Sequence, residues 1–464
     1  MIKLDASTIA REVNAGRLDP AAVVEAFAER IEARNTELNA LVRLDLDWSR
    51  RETRRLLDRV RQGERLPLAG VPLVVKDTVW VRGRNQAQGS RLFADFIAPS
   101  DAICVERARA AGAVVIGIGN SPEFACKGQT NSPMHGIARH PMNPLLTPGG
   151  SSGGNAAALA ADFAPIALGT DGGGSGRRPP AHTGTVGFKP SFGAIPYGPG
   201  FPEPFWGIAV IAPMGRTVAD TTLLFDCLAG PDSRDAESIA IDALSAPPDF
   251  RSLRIAYSPR LGLDVPVDAE VAAAIETGIE ALAHAGWPIE CTDPAWPAGL
   301  KEETLMPLQA AGLAALHGDA FAHNPSLFDP DIAAQLQRGL AMTGRDVAAA
   351  LEASAAIRRA CATFLAEFDL LLSPTTPCVA WSADRLGPER IGGVPVTARG
   401  HAVFTPFFNH ALTPAISIPC GRGHDSLPVG LQIVARRGRD RLVLAAAAAA
   451  ENVLNGINMK RRPA

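Results

Sequence analysis

The chain has 464 residues, of which 47% are hydrophobic and 20% charged, with 44 glycines, 38 prolines and a net charge of −3. This composition excludes a disordered chain, a coiled coil and a small disulfide-stabilised module. A net charge near zero argues against nucleic acid or an anionic membrane as a partner. Only six of the 45 basic residues are lysines, and one of them, Lys76, ends an apolar run. A lysine at that position is therefore unusual in this chain.

Other features of the sequence bear on compartment, membrane and cofactors. The seven cysteines form no C-x-x-C pair, which favours reduced thiols in a cytoplasmic protein. The N-terminus lacks the apolar segment of a signal peptide, and no stretch approaches the roughly 18 apolar residues of a membrane span. The nine histidines show no metal-binding spacing, and no Walker lysine follows the glycines. We therefore expect no metal, no organic cofactor and no membrane partner.

Residues 1–60 are predicted to form an N-terminal helical region. Asp19 followed by Pro20 is typical of a helix start, because aspartate caps the first turn and proline suits the first helical position. Val23, Phe27 and Ile31 then recur on one face of the helix.

Residues 61–230 change to short apolar runs separated by glycine-rich turns, with helical stretches between them. This alternation is typical of an α/β sheet. The predicted strands are Val71–Val75, Val114–Ile118 and Ile166–Leu168, and the predicted helices are 100–111 and 153–162.

The remaining chain is predicted to add a helical insertion, 231–370, and to complete the same sheet with residues 371–455. Asp268 and Thr343 are candidate caps of helices in the insertion. Further strands are predicted at Leu253–Tyr257, Leu370–Leu372, Ala415–Ile418 and Val429–Val434, and a frayed tail at 456–464. The predicted fold class is α/β, an α/β/α sandwich with one large mixed central sheet.

The segment Pro148–Pro190, PGGSSGGNAAALAADFAPIALGTDGGGSGRRPPAHTGTVGFKP, carries the chemistry. Ser151 and Ser152 directly precede an Ala-rich helix, whose free N–H groups and positive dipole end lie beside them. After the next strand comes a run of three glycines and Ser175, whose backbone N–H groups can surround one point as an oxyanion hole requires.

The topology predicts that these groups meet. A helix and the strand that returns from it place the helix N-terminus and the strand C-terminus at one edge, so Ser151 and Ser175 should lie close together. A parallel neighbouring strand would bring the amine of Lys76 to the same edge. A desolvated lysine can lose its proton near neutral pH and act as the base that a serine nucleophile needs.

These motifs resemble the signature of the amidase signature family, in which GGSSGG is followed by GTDxGGS and then GxVGxKP. The resemblance extends to GVPLVVKDT (70–78), SPEFACKGQTNSP (121–133) and TPFFNHALTPAISIPCG with LPVGLQIV (405–434), and so covers most of the chain. It implies an amidase that hydrolyses a small carboxylic-acid amide to the acid and ammonia or an amine, without a cofactor.

By position, the resemblance implies a Ser–cis-Ser–Lys triad with Ser175 as nucleophile, Ser151 as bridging serine and Lys76 as base. It implies an oxyanion hole at Gly172, Gly173 and Gly174. Ser152, Thr170 and Asp171 match positions that support the catalytic loop by hydrogen bonds. Gln129 and Arg178 are candidate substrate-binding residues. Homodimers are common in the family, and the N-terminal helices are the candidate interface.

Three departures from the family pattern involve two glycines and one pair of arginines. Gly172 replaces a usual threonine and Gly176 a usual isoleucine or valine, which predicts a freer loop or extra space beside the acyl group. Arg177 and Arg178 stand together where most members carry one arginine. Arg178 can clamp a substrate carboxylate, or it can form a salt bridge with a local acid such as Asp171.

Several other interpretations remain open at this stage. Ser152 formally fits the G-x-S-x-G elbow of α/β-hydrolases, but a Pro-rich loop rather than a strand precedes it. His182 is interpreted as a packing residue. The chain could instead be the amidase-like subunit of a tRNA-dependent amidotransferase, although that branch usually has glutamine at the position of Arg178. A catalytically silent binding relative is disfavoured because Lys76, Ser151 and Ser175 are all present.

Overall fold

A mixed sheet organises the chain in the computed structural model, which describes residues 1–244, 246–300 and 304–460. The helices are α1 (Ala6–Asn14), α2 (Pro20–Leu38), α3 (Leu46–Arg61), α4 (Ile103–Ala110), α5 (Gly153–Ala160), α6 (Arg178–Thr183), α7 (Val218–Leu228), α8 (Ala269–His284), α9 (Met306–His323), α10 (Pro330–Leu340), α11 (Gly344–Glu367), α12 (Pro406–His410) and α13 (Asp440–Lys460).

The strands are β1 (Leu41–Leu44), β2 (Pro72–Lys76), β3 (Val114–Gly119), β4 (Asn131–Ser132), β5 (Gly136–Ile137), β6 (Ile166–Asp171), β7 (Val186–Lys189), β8 (Val210–Gly215), β9 (Ile255–Tyr257), β10 (Ile289–Cys291), β11 (Leu370–Pro374), β12 (Arg390–Ile391), β13 (Val394–Pro395), β14 (Ala415–Arg422) and β15 (Pro428–Val434).

Eleven of the described strands form one sheet in the order β1-β3-β2-β6-β8-β7-β14-β15-β11-β9-β10. Strand β2 is parallel to β3 and to β6, whereas β8 is antiparallel to both β6 and β7. All six residues of β6 are buried, which requires cover on both faces because successive side chains point to opposite sides. The predicted α/β class with a large mixed central sheet is confirmed.

Several helices and strands form where the sequence predicted them, and the predicted capping residues begin two of the helices. Asp19 accepts the N–H of Ala21 at 2.9 Å at the start of α2, and Val23, Phe27 and Ile31 are all fully buried. Thr343 forms a capping box with Asp346 at the start of α11. The seven predicted strands all exist, with ends that shift by a few residues.

Other elements differ from the sequence prediction. The N-terminal region also contains β1, which pairs with β3 at the edge of the sheet. Strands β7 and β8 were not predicted. Strand β8 contains Pro213, which lies opposite Leu168 of β6. Proline disfavours a central strand because it has no N–H to donate to a neighbouring strand. The predicted insertion 231–370 contributes β9 and β10 to the sheet as well as helices.

Asp268 occupies the cap position of α8 as predicted, but its carboxylate makes no capping hydrogen bond. It accepts the N–H of Gly392 at 2.6 Å instead, because tertiary packing brings that loop to the helix. A frayed tail was predicted at 456–464. Helix α13 extends to Lys460 and so includes residues 456–460, whereas residues 461–464 lie outside the described part of the chain.

Candidate active site

The carboxyl ends of β2 and β6 bring the predicted catalytic groups together. The two strands are parallel and in contact, with Val75 opposite Leu168. Lys76 is the last residue of β2, Thr170 and Asp171 end β6, and Ser151 lies just before α5. The peptide bond between Gly150 and Ser151 is cis, as the family resemblance implies.

Lys76 is fully buried and contacts two hydroxyl groups. Its Nζ lies 2.8 Å from Ser151 Oγ and 2.8 Å from Thr170 Oγ1. Burial lowers the pKa of the Lys76 ammonium to about 7, although the nearby Asp171 carboxylate acts in the opposite direction. A substantial fraction of this amine is therefore neutral near pH 7, in hydrogen-bond contact with Ser151.

Both predicted catalytic serines line one small cavity of about 20 Å³, which we call the serine cavity. Ser151 is fully buried and Ser175 is 7% exposed, so Ser175 is the more accessible of the two residues. The other lining residues are Thr78, Gln88, Phe124, Ala125, Thr170, Gly172, Tyr197, Pro202, Glu203, Pro204, Phe205 and Ala209. Most of them come from the segments 120–135 and 195–210.

The glycine loop between β6 and α6 is held by Asp171. One carboxylate oxygen accepts the N–H of Gly174 at 2.6 Å, and the other accepts the N–H of Gly176 at 3.1 Å. The N–H groups of Gly172, Gly173 and Ser175 have no acceptor within the part of the chain that the structure describes. Gly174 therefore stabilises the loop, and the unused donors are at the other three positions.

Asp171 is buried against a guanidinium group. Arg177, fully buried, donates from Nε to Asp171 Oδ2 at 2.9 Å and from Nη2 to Oδ1 at 3.0 Å. Asn409 of α12 donates to Asp171 Oδ1 at 2.9 Å. Burial alone would raise the pKa of the Asp171 carboxyl, but Arg177 outweighs it and holds that pKa well below its usual range. The salt bridge considered for Arg178 is thus made by its neighbour Arg177.

Ser152 and Thr170 connect α5 to β6. Ser152 Oγ donates to the Thr170 carbonyl at 3.2 Å and accepts the Thr170 N–H at 3.4 Å. The side chain of Ser152 is fully buried and is absent from the lining of the serine cavity. This placement fits a supporting role and gives no support to Ser152 as the nucleophile of a hydrolase elbow.

The two glycines that depart from the family pattern leave no free space. A β-carbon at Gly172 would come within 3.0 Å of the ring atoms Cγ and Cδ2 of Phe205. A β-carbon at Gly176 would overlap the Cβ of Ala212. The prediction of extra room beside the acyl group is therefore wrong, because other side chains fill both places.

The two candidate substrate-binding residues lie outside the serine cavity. The Gln129 amide donates to the carbonyl of Ala383, and its backbone packs against Gly150. Arg178 is 3% exposed, and its Nε would be 3.0 Å from a β-carbon at Gly174. Neither is among the residues that line the cavity with Ser175, so their roles in substrate binding stay predictions.

His182 has the packing role predicted for it. It is 1% exposed, and its ring contacts Trp381 edge-on at a centroid distance of 5.4 Å. Burial lowers the pKa of His182 to about 3, so the ring is neutral at pH 7. Among the described residues, no group of three or more His, Cys, Asp or Glu side chains could hold a metal ion.

The sequence did not predict the unusual backbone conformation of three residues that line the serine cavity. Gln88, Phe124 and Ala125 all have positive φ, and the N–H of Phe124 donates to the Gln88 carbonyl at 2.9 Å. Non-glycine residues with positive φ are uncommon and concentrate at functional sites. No local signal marks these three residues, since none is a glycine or asparagine.

Comparison with known proteins identifies the family. The Amidase family model matches residues 22–444. The chain is 34% identical over 460 residues to an acylamidase of Rhodococcus erythropolis, covering 97% of this chain and 95% of the relative. It is 33% identical over 483 residues to a glutamyl-tRNA(Gln) amidotransferase subunit of Deinococcus deserti, covering 97% of each.

A solved structure agrees with these sequence matches. A bacterial aryl acylamidase of the amidase signature family superposes with a TM-score of 0.90 at 27% identity, covering 99% of each chain. The fold and its relatives define an enzyme that hydrolyses C–N amide bonds. Within that class, the chain belongs to the amidase signature family. In the described part of the chain, none of the helices combines the length and the hydrophobicity that a bilayer span requires.

Proposed function

We propose that this chain hydrolyses a small carboxylic-acid amide through an acyl-enzyme, with Ser175 as nucleophile, Ser151 as bridging serine and Lys76 as base. The observation that carries the proposal is the 2.8 Å contact between Ser151 Oγ and a fully buried amine whose pKa is lowered to about 7. A serine hydroxyl needs an adjacent base to become nucleophilic, and a neutral lysine amine can supply one.

In the proposed reaction, neutral Lys76 accepts a proton from Ser151 while Ser151 accepts the proton of Ser175. The Ser175 oxygen then attacks the amide carbonyl and forms a tetrahedral intermediate. The intermediate collapses when its C–N bond breaks and the proton passes through Ser151 to the leaving amine. Water attacks the acyl-enzyme through the same proton relay, which releases the acid and restores Ser175.

The negative charge of the tetrahedral intermediate needs backbone donors. Gly172 and Ser175 line the serine cavity, Gly173 lies between them in the loop, and within the described part of the chain none of these three N–H groups has an acceptor. We therefore propose these three donors for the oxyanion hole and place Gly174 with the supporting contacts of the loop. Preorganised N–H groups stabilise an oxyanion without reorganising during the reaction.

The buried position of Arg178 argues against a substrate that carries a carboxylate as well as the amide. Its side chain is buried beside Gly174, whereas the substrate carbonyl must reach Ser175 in the serine cavity. An Arg178→Ala variant tests this point with paired neutral and carboxylate-bearing amides. Equal loss of activity on both classes is expected, and a selective loss on the carboxylate class would contradict it.

The nucleophile is tested by fluorophosphonate labelling and by ammonia release from a panel of small amides. The native protein should label once, and Ser175→Ala should abolish both labelling and hydrolysis. Ser49→Ala is a matched control, because Ser49 is also buried and its hydroxyl donates only to the backbone carbonyls of Asp45 and Val115. Labelling that survives in Ser175→Ala would refute the assignment.

The relatives also favour a second candidate function. The similarity to an amidotransferase component covers 97% of this chain, so the chain could act within an assembly that passes ammonia to another protein. The purified chain alone distinguishes the two. Hydrolysis of simple amides by this chain on its own is expected for the amidase, whereas activity that requires a partner protein would favour the alternative.

Compartment and assembly belong to the same proposal. All seven cysteines are free thiols, a pattern typical of a reducing compartment, so we propose a cytoplasmic enzyme. We propose a homodimer on the family resemblance. Light scattering of the purified chain at micromolar concentration tests the dimer, and a monomer mass would contradict it.

A further inference from the structure

Gln88 brings an amide group without a partner to the wall of the serine cavity. The residue is 6% exposed, and within the part of the chain that the structure describes its amide oxygen and nitrogen form no hydrogen bond. Both amide atoms keep some contact with open space, and the serine cavity is the space that Gln88 lines. A buried amide without a partner is unfavourable, so a ligand group that bonds to it stabilises the complex.

Most other polar side chains of the serine cavity already have partners. The hydroxyls of Ser151 and Thr170 both accept a hydrogen bond from Lys76. The two oxygens of the Glu203 carboxylate each accept a backbone N–H of their own loop. Gln88 therefore retains both donor and acceptor capacity in the cavity that holds the proposed nucleophile.

Two further residues of the cavity wall, Thr78 and Tyr197, have hydroxyl groups with no partner among the described residues. The Thr78 hydroxyl is completely covered by surrounding atoms, and Tyr197 is partly exposed. Of these three residues, Gln88 is the one that combines a buried position with polar atoms in contact with open space. It is therefore the best candidate to recognise a ligand in the cavity.

The backbone around Gln88 is held by Asp77. The Asp77 carboxylate accepts the N–H of Ala87 at 3.0 Å and that of Gly89 at 2.8 Å, one residue on either side of Gln88. Its Oδ2 also lies 2.8 Å from Nε2 of His135. Gln88 has a φ of 51°, which is uncommon for a residue with a side chain. These bonds hold that conformation in place.

The same loop is packed against the segment that contains Phe124. The N–H of Phe124 donates to the Gln88 carbonyl at 2.9 Å. A β-carbon at Gly89 would lie 2.6 Å from the Ser121 carbonyl oxygen, so only glycine allows this close approach. A polar group on a backbone that is already ordered loses less conformational freedom when it binds a ligand. The Gln88 amide is therefore well placed to bind selectively.

We propose that Gln88 is a specificity-determining residue whose amide binds an uncharged hydrogen-bonding group, such as a hydroxyl, on the acyl part of a short amide substrate. The reacting amide has other proposed partners, because its carbonyl oxygen uses the glycine-loop N–H groups and its nitrogen takes a proton from Ser151. A carboxamide both donates and accepts, so it matches an uncharged group that does the same. This inference rests on the proposed amide hydrolysis and adds the substrate class.

The burial of Gln88 favours the acyl part over the amine. In the proposed reaction the amine departs before water attacks, so the amine must lie toward the opening of the cavity. The acyl group stays bound to Ser175 through both steps, and a deeply buried residue contacts the part that stays. The cavity volume of about 20 Å³ favours an acyl group of only a few atoms.

Two pairs of amides of equal size test the proposal. 2-Hydroxyacetamide is compared with propanamide, and 3-hydroxypropanamide with butanamide, so that a hydroxyl replaces a methyl group in each pair. In at least one pair, the native enzyme should hydrolyse the hydroxy amide with a kcat/KM about tenfold or more above that of its partner, because the methyl group leaves the Gln88 amide unpaired. Ammonia release measures both rates.

Gln88→Met replaces the amide with an apolar side chain of similar length, and the preference for the hydroxy amide should fall by about tenfold. Comparison with the native enzyme cancels the intrinsic difference in reactivity between the two amides. Gln88→Asn keeps a carboxamide and should retain more of the preference than Gln88→Met. Gln337→Met is the matched control, since it makes the same substitution at an exposed position of α10 away from the cavity, and it should keep the native preference. Circular dichroism establishes that all three variants fold.

A third pair places the hydroxyl on the amine side. N-(2-hydroxyethyl)formamide and N-propylformamide are equal in size, and formate release measures their hydrolysis. The native enzyme and Gln88→Met should show the same ratio of kcat/KM for these two amides. A preference that is confined to this pair and lost in Gln88→Met would overturn the assignment of Gln88 to the acyl part.

The outcomes separate this proposal from the proposed function. If the native protein neither labels with fluorophosphonate nor hydrolyses any amide, the proposed function fails. If it labels and hydrolyses, but neither acyl-side pair shows a preference or the preference is unchanged in Gln88→Met, the specificity role of Gln88 is overturned.

Discussion

Lys76 should control the pH dependence of amide hydrolysis. The proposed base must be neutral, and burial lowers its pKa to about 7. By that pKa, about half of the amine is neutral at pH 7 and about 1% at pH 5. We therefore expect kcat/KM to rise with pH through about 7, and its value at pH 5 to be about 50-fold below that at pH 7.

The assay is the initial rate of ammonia release at low substrate concentration between pH 5 and pH 9, with circular dichroism at each pH to establish that the enzyme stays folded. Lys76→Arg should remove the rising limb, because a guanidinium group keeps its proton throughout this range. The activity of this variant at pH 8 should fall by about 10²- to 10⁴-fold, the usual contribution of a general base.

Lys189 supplies a matched control. It is another fully buried lysine with a pKa that burial lowers to about 7. Its Nζ donates to the Pro190 carbonyl at 3.0 Å and contacts neither of the proposed catalytic serines. Lys189→Met should leave the midpoint of the pH profile in place. The reasoning is refuted if the profile of the folded native enzyme is flat from pH 5 to pH 8, or if the midpoint depends on Lys189.

Three further substitutions have defined outcomes. Thr170→Val removes one of the two hydroxyls that accept a hydrogen bond from Lys76, the proposed base, so the midpoint of the pH profile should move down and kcat should fall about tenfold. Asp171→Asn leaves the buried Arg177 guanidinium without its counter-charge. Urea titration should therefore show that the free energy of unfolding is lower by about 3–5 kcal/mol. A decrease below about 1 kcal/mol would contradict a buried ion pair between these residues. Gly176→Val restores the residue type usual in the family but clashes with Ala212, so it should destabilise the protein by about 1–3 kcal/mol, and Ala212→Gly should recover part of that loss.

Local rules predicted the elements whose causes are local. Asp19 and Thr343 cap their helices through groups two and three residues away, so the sequence alone contains both partners. Asp268 shows the limit of such rules. Its carboxylate bonds to Gly392, 124 residues later in the chain, and no local pattern could indicate that partner.

The motif also predicted, without tertiary information, which side chains meet at one edge of the sheet. The order of helix, strand and glycine loop requires Ser151 and Ser175 to share one edge of the sheet, and parallel pairing of β2 with β6 adds Lys76. The resemblance to the family then assigned their roles. The sequence predicted an oxyanion hole at Gly172, Gly173 and Gly174, which only partly matches the backbone N–H groups that are available. The Asp171 carboxylate accepts the N–H of Gly174, so within the described residues the N–H groups without an acceptor are those of Gly172, Gly173 and Ser175.

The low lysine content and the glycine clusters were enough to single out Lys76, the two serines and the α/β class, because hydrophobic period, turn residues and side-chain chemistry are all properties of short segments. These features did not predict the shape of the cavity. Missing side chains at Gly172 and Gly176 suggested open space, whereas Phe205 and Ala212 fill it. Segments far apart in the chain pack to nearly crystalline density, so what occupies a gap is decided only when the whole chain folds.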